Sequence, residues 1–154
     1  MSKPNSPPPA QTTVTPYIVV KGAAEAIEFY KRAFGAVEDF RLTEPGGGKV
    51  GHAEMLIGSA RFMLADEWPD FGALSPTTIG GTAVRLHLLV ENTDATMDRA
   101  VAAGAILLRP AKDQFFGERT GLISDPFGHE WFIASRIAEV TPQEMQRRWN
   151  ESFR

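Results

Sequence analysis

Apolar positions along the chain alternate between two periods, and the change of period marks out the elements. Residues 14–20, VTPYIVV, form an apolar, β-branched run that reads as a strand, with Pro16 suited to a sheet edge or to the strand's start. Ala23, Ala26, Ile27, Tyr30, Ala33 and Phe34 then recur at helical spacing, and Gly35 stops the helix. EDFRL is a short strand, EPGGGK a flexible loop, and VGHAEMLI and ARFMLAD are two strands joined across Gly58-Ser59, a tight-hairpin signature.

The second half repeats this order. AVRLHLLVEN is a strand. TDATMDRAVAAGAI is a helix with Met97, Ala100 and Val101 on one face and Gly104 as its stop. ILLRP, RTGLIS and HEWFIAS are three further strands. The chain is therefore an internal duplication of a βαβββ unit, with modules at about 14–67 and 83–136. An α+β fold follows, with a C-terminal helix within 139–154. Thr141 is that helix's N-cap, Pro142 takes the first helical position, Glu144 is placed to close a capping box, and Met145 and Trp149 share a face. Residues 1–13 are rich in proline and polar side chains and have little to bury, which predicts a disordered tail.

Composition narrows the chemistry. The 154 residues include no cysteine, which excludes disulfides, thiolate nucleophiles and cysteine zinc sites. The net charge of −3 is spread along the chain and gives no basic face for nucleic acid or an anionic membrane. No apolar run approaches the roughly 20 residues of a membrane helix, and no signal-peptide pattern is present, so the cytoplasm is the default location. GGG at 46–48 lacks the strand-then-helix context of a phosphate loop, and IGSA is a hairpin turn and not a nucleophile elbow.

DPFGHEW, residues 125–131, places a histidine and a glutamate directly after a tight turn. Taken with VTPYIVV before AIEFYKRAFGA, HAEMLIG with FMLADE, and DQFFGERTG, it resembles the vicinal oxygen chelate superfamily. That group includes glyoxalase I, ring-cleaving dioxygenases and bleomycin- and fosfomycin-resistance proteins. The similarity is strongest to its PhnB-like branch. The resemblance implies two modules curving a sheet around a cleft, usually in a homodimer, with a small molecule as ligand. In metal-dependent members, four His or Glu ligands come from the first and last strands of each module. The matching positions here are Thr15, Met63, Arg85 and Phe132. Arginine has no lone pair to give and phenylalanine no donor atom, so the usual divalent-metal centre is not expected.

Strand side chains alternate. If Phe132 faces the cleft, so does Glu130, while His129 and Trp131 face the helices; His129 then reads as a structural histidine that caps the turn or satisfies a buried carbonyl. The same parity turns Thr15, Tyr17, Arg85 and His87 inward. The Gly58-Ser59 turn sets Glu54 opposite Met63, which brings His52 inward too. The expected ligand-binding set is Tyr17, His52, Glu54, Met63, Arg85, His87, Glu130 and Phe132. Glu54 and Arg85 could instead pair as a buried ion bridge. Trp68, Phe71, Phe115 and Phe116 are loop aromatics suited to a lid or a dimer contact. Three readings remain open. One is a metal-free small-molecule binding protein that prefers anionic or oxygen-rich ligands. Another is an enzyme with a relocated metal site at His52, Glu54, His87 and Glu130, or with Glu130 or His87 as general base. The third is a structural or regulatory dimer with a filled cleft.

Overall fold

The computed structural model describes residue 7 and residues 10–154. The expected disordered tail lies largely outside the described residues; residues 7 and 10–13 are exposed and belong to no regular element. Two units of identical topology follow. The first contains β1 (Tyr17–Val20), α1 (Ala23–Phe34), β2 (Val37–Thr43), β3 (Val50–Ile57) and β4 (Ala60–Asp66). A short helix, α2 (Pro76–Ile79), lies in the connection. The second unit contains β5 (Arg85–Leu89), α3 (Thr93–Ala102), β6 (Ile106–Asp113), β7 (Glu118–Ser124) and β8 (Glu130–Arg136), and α4 (Pro142–Glu151) ends the chain. The strand orders are β1-β4-β3-β2 and β5-β8-β7-β6. In each sheet the first and last strands of the unit pair in parallel, and the other neighbours are antiparallel. The predicted duplication is therefore realised strand for strand.

Local chemistry explains the boundaries. Gly35 adopts φ 66 and donates its N–H to the Lys31 carbonyl, closing α1 in the left-handed conformation that glycine tolerates. The start of α1 has no cap of its own. The Asp66 carboxylate at the end of β4 accepts from the Gly22 and Ala23 amides at 2.9 Å each, tying the helix to the sheet. Asn92 caps α3 through the Ala95 amide, and Thr141 caps α4 through the Glu144 amide as the sequence predicts. The capping box does not close: the Glu144 side chain is drawn away by Arg147 and Arg148, which hold its carboxyl down at about 2.

One core joins the units. Ile18, Val20, Met55, Phe62 and Leu64 from the first sheet share it with Leu88, Ile123, Trp131 and Ile133 from the second, and α1 packs against α3 between them. At Gly121 an added Cβ would collide with Met97 of α3, so this glycine sets how closely the helix approaches β7. The units are pinned by Asp125, which is 2% exposed. Its carboxylate accepts from Tyr30 Oη of α1 at 2.6 Å, from Trp131 Nε1 at 2.9 Å, and from the Phe127 and His129 amides. Burial, reinforced by the Asp125 charge, pushes the Tyr30 phenol well above its usual range.

Two boundaries differ from the sequence expectation. β1 begins only after Pro16, so Thr15 precedes the strand, because proline has no N–H to pair. β6 runs on through Pro110 to Asp113, with register breaks between Leu107, Arg109 and Lys112 that accommodate the proline.

Candidate functional site

Each sheet buries one face against its helix and leaves the other open. In β1 the alternation is strict: Ile18 and Val20 are buried, while Tyr17 is 49% exposed. The register sets Tyr17 beside Met63, Met63 beside Glu54 and Glu54 beside Phe40, so one row of side chains crosses the open face of the first sheet. The polar members are linked. Tyr17 Oη and His52 Nδ1 are 2.9 Å apart, and His52 Nε2 lies 2.9 Å from Glu54 Oε2. Glu54 Oε1 accepts from Arg61, which also donates to Asp39. A carboxylate on Nε2 favours a proton there, which leaves Nδ1 to accept from the phenol. Burial, with the Glu54 charge behind it, raises the Tyr17 pKa, so the phenol is protonated at neutral pH. Beside it, Tyr17, Val19, Ala65, Trp68 and Phe71 wall a pocket of about 290 Å³. Trp68 and Phe71 of the lid expectation thus flank this site, with their rings 5.9 Å apart.

The second sheet carries a different arrangement. Arg85 donates to Glu130 at 3.2 Å and stands 5.4 Å over the ring of Phe132. His87 Nε2 lies 3.0 Å from Glu118 Oε2. Glu118 also lines a pocket of about 620 Å³ with Phe116, Arg136 and Met145, between the start of β7, the end of β8 and the start of α4. Phe115 stacks obliquely on Trp149 at 6.1 Å, and its carbonyl accepts from Arg148. The pair Phe115 and Phe116 therefore sits at α4, away from the Tyr17 pocket. Trp149 remains 50% exposed.

The strand parities expected from the sequence hold, but the eight candidate residues do not meet within one chain. Tyr17, His52, Glu54 and Met63 lie on the first sheet; Arg85, His87, Glu130 and Phe132 lie on the second, with the shared core between the two faces. The expected Glu54–Arg85 bridge is overturned: Glu54 pairs with Arg61 and His52, and Arg85 with Glu130. Same-sheet neighbours were closer than a partner across the core. For the same reason His52 and Glu54 are separated from His87 and Glu130. Among the described residues no group of three or more His, Asp or Glu side chains is placed to hold a metal. The four family positions do not fit a cation either, since Arg85 is itself a cation held by Glu130, and Phe132 offers only a ring face. His129 does what its parity indicated: Nε2 lies 2.8 Å from the Val19 carbonyl and links the turn before β8 to β1.

Glu118, Arg61 and Arg109 were missed in the sequence. Arg61 has the parity of Met63, and extending the alternation by one step would have found it. Glu118 pairs with Arg136 across a turn too long to fix its register from sequence, and Arg109 lies beside a bulge that breaks alternation.

Comparison with known proteins matches residues 10–133 to the model of the Glyoxalase/Bleomycin resistance protein/Dioxygenase superfamily. The chain is 40% identical over 139 residues to uncharacterized protein Rv0887c of Mycobacterium tuberculosis H37Rv, covering 88% of this chain and 81% of that one. The crystal structure of the Arabidopsis thaliana At5g48480 gene product superposes with a TM-score of 0.65 at 26% identity, over 81% of this chain and 99% of that one. TioX from Micromonospora sp. ML1 shares the fold at a TM-score of 0.63 and 23% identity, over 84% and 100% of the two chains.

Proposed function

Because the chain belongs to the Glyoxalase/Bleomycin resistance protein/Dioxygenase superfamily, we propose that it binds a small molecule between the open faces of its two sheets, brought together by homodimerisation. The reading is metal-independent and falls within the PhnB-like branch. The observation that carries it is the open face of each sheet. Tyr17, Phe40 and Leu42 on one and Leu89 on the other are 42–60% exposed, and polar groups are interleaved with them. Such a mixed surface suits one wall of a ligand cleft. A cleft needs a second wall, and within one chain the core separates the two faces. A second copy supplies it when the first sheet of one subunit opposes the second sheet of its partner. Met63, Arg85 and Phe132 offer a hard cation no good ligand atom, which favours direct recognition of the ligand by side chains. Among the described residues no helix is long and apolar enough to cross a membrane, and a cysteine-free chain suits the cytoplasm.

Sedimentation of the purified protein, with metal analysis and an NMR fragment screen, tests this reading. The expected result is a dimer, no stoichiometric divalent ion, and hits that move amides around Tyr17 and around Phe132 together. A monomer at micromolar concentration, or hits confined to neither face, overturns it. A second reading, proton-transfer catalysis, draws on the Tyr17–His52–Glu54 chain, in which a protonated phenol is backed by a base and an orienting carboxylate. One tightly bound divalent ion per chain would favour a metal-dependent enzyme instead.

A further inference from the structure

Ion pairing leaves three cations of the second sheet, Arg109, Lys112 and Arg136, without a carboxylate among the described residues, and Arg136 lines the pocket beside α4. Arg41, Arg61, Arg85, Arg119, Arg147 and Arg148 each hold a carboxylate. Arg109 and Lys112, both on β6, have no carboxylate partner among the described residues. The register makes them converge. Arg109 pairs with Leu122, and Leu122 with Phe132; Lys112 pairs with Thr120. The break in register between Arg109 and Lys112 brings both to one pocket of about 280 Å³, lined also by Gln114, Thr120, Leu122 and Phe132.

Thr120 supplies an independent sign. It is 8% exposed, and its Oγ1 is a buried side-chain oxygen with no hydrogen-bond partner among the described residues. Buried hydroxyls are nearly always bonded, and an orphan beside a pocket is a donor awaiting an acceptor. Around it stand a guanidinium, an ammonium and a carboxamide, which together offer donors and two positive charges. Leu122, Phe132 and Pro110 give the same pocket apolar walls.

We infer that this pocket is an oxyanion subsite, which takes the carboxylate of a small apolar acid. Thr120 Oγ1 and the Gln114 amide donate to the carboxylate oxygens, Arg109 and Lys112 supply the countercharge, and Leu122, Phe132 and Pro110 contact the apolar body. Arg85, the cation in the ligand-binding set expected from the sequence, is already occupied by Glu130. The inference rests on the small-molecule reading above and adds the ligand's chemical class.

Titration of the isotope-labelled full chain with benzoate, followed by amide shifts, tests it, with benzamide as the uncharged probe of the same shape. Benzoate is expected to saturate and to move amides of residues 109–114 and 120–122. Benzamide should bind about tenfold more weakly, and the Arg109→Gln/Lys112→Gln double variant should lose about tenfold in benzoate affinity. Thr120→Val should weaken benzoate by about threefold, whereas Thr120→Ser, which keeps the hydroxyl, restores it. Melting curves confirm that each variant is folded. Equal binding of benzamide at this pocket would overturn the oxyanion assignment and leave the small-molecule reading intact. So would a Thr120→Val protein that melts higher and binds benzoate unchanged. Binding of neither probe at either sheet face would overturn both.

Discussion

The two units share one topology and use it differently. In the first, β3 and β4 turn across Gly58 and Ser59 alone, and the open face carries one connected chain of polar groups from Tyr17 through His52, Glu54 and Arg61 to Asp39. In the second, β7 and β8 are joined through residues 125–129, and the open face carries separate pairs, Arg85–Glu130 and His87–Glu118, beside Arg109 and Lys112, which have no carboxylate partner among the described residues. The longer turn brings Asp125, whose carboxylate reaches across to α1. The helices differ to match: α1 buries seven residues, including Phe29 and Tyr30, whereas α3 buries three. Duplication preserved the backbone and the core face, where packing tolerates little change. The open faces and turns, where hydrogen-bond partners are local, diverged into one site already connected internally and one with groups to spare.

The largest expected effect comes from removing the link between the units. Asp125→Ala strands the Tyr30 hydroxyl, the Trp131 indole N–H and two backbone amides in the core. A cost of about 4 kcal/mol or loss of folding is expected, since each unsatisfied buried group costs about 1–3 kcal/mol. Urea unfolding reads it directly, and a loss under about 1 kcal/mol would mean the units do not depend on this turn. Tyr30→Phe removes one of the four donors and should cost about 2 kcal/mol.

The same residue gives the comparison a pH signature. With its folded pKa raised, Tyr30 keeps its proton where the unfolded chain has lost it. Stability is therefore fully present below about pH 10 and falls as pH rises above it. Melting temperature against pH should drop through the alkaline range in the parent and more shallowly in Tyr30→Phe. Parallel curves would assign the alkaline loss to other groups.

Smaller effects separate the two open faces. Glu54→Ala breaks the connected chain, and because Glu54 is largely buried a loss of about 1 kcal/mol is expected. The nitrogen shifts of His52 should report the loss of its Nε2 partner. Arg85→Met on the other sheet breaks a pair whose arginine is 43% exposed, so less than about 1 kcal/mol should be lost. If Arg85→Met cost more than Glu54→Ala, the contrast between a connected face and one of separable pairs would fail.

Periodicity determined a great deal of this protein on its own. The alternation in VTPYIVV, VGHAEMLI, ARFMLAD and HEWFIAS, the helical spacing from Ala23 to Phe34, and the glycine stops specified two βαβββ units. They also specified which side chains of β1, β3, β4, β5 and β8 leave the core, because strand parity and helix spacing are local geometry. Tertiary structure decided which of those side chains meet. Glu54 and Arg85 have the parity for a shared cleft, yet each is held by a neighbour on its own sheet, since the helices and the common core lie between the sheets. Thr120, Arg109 and Lys112 come together only through the bulged register of β6 against β7. A bulge shifts one strand against another by contacts that span the sheet, and no local pattern in ILLRPAKD records it.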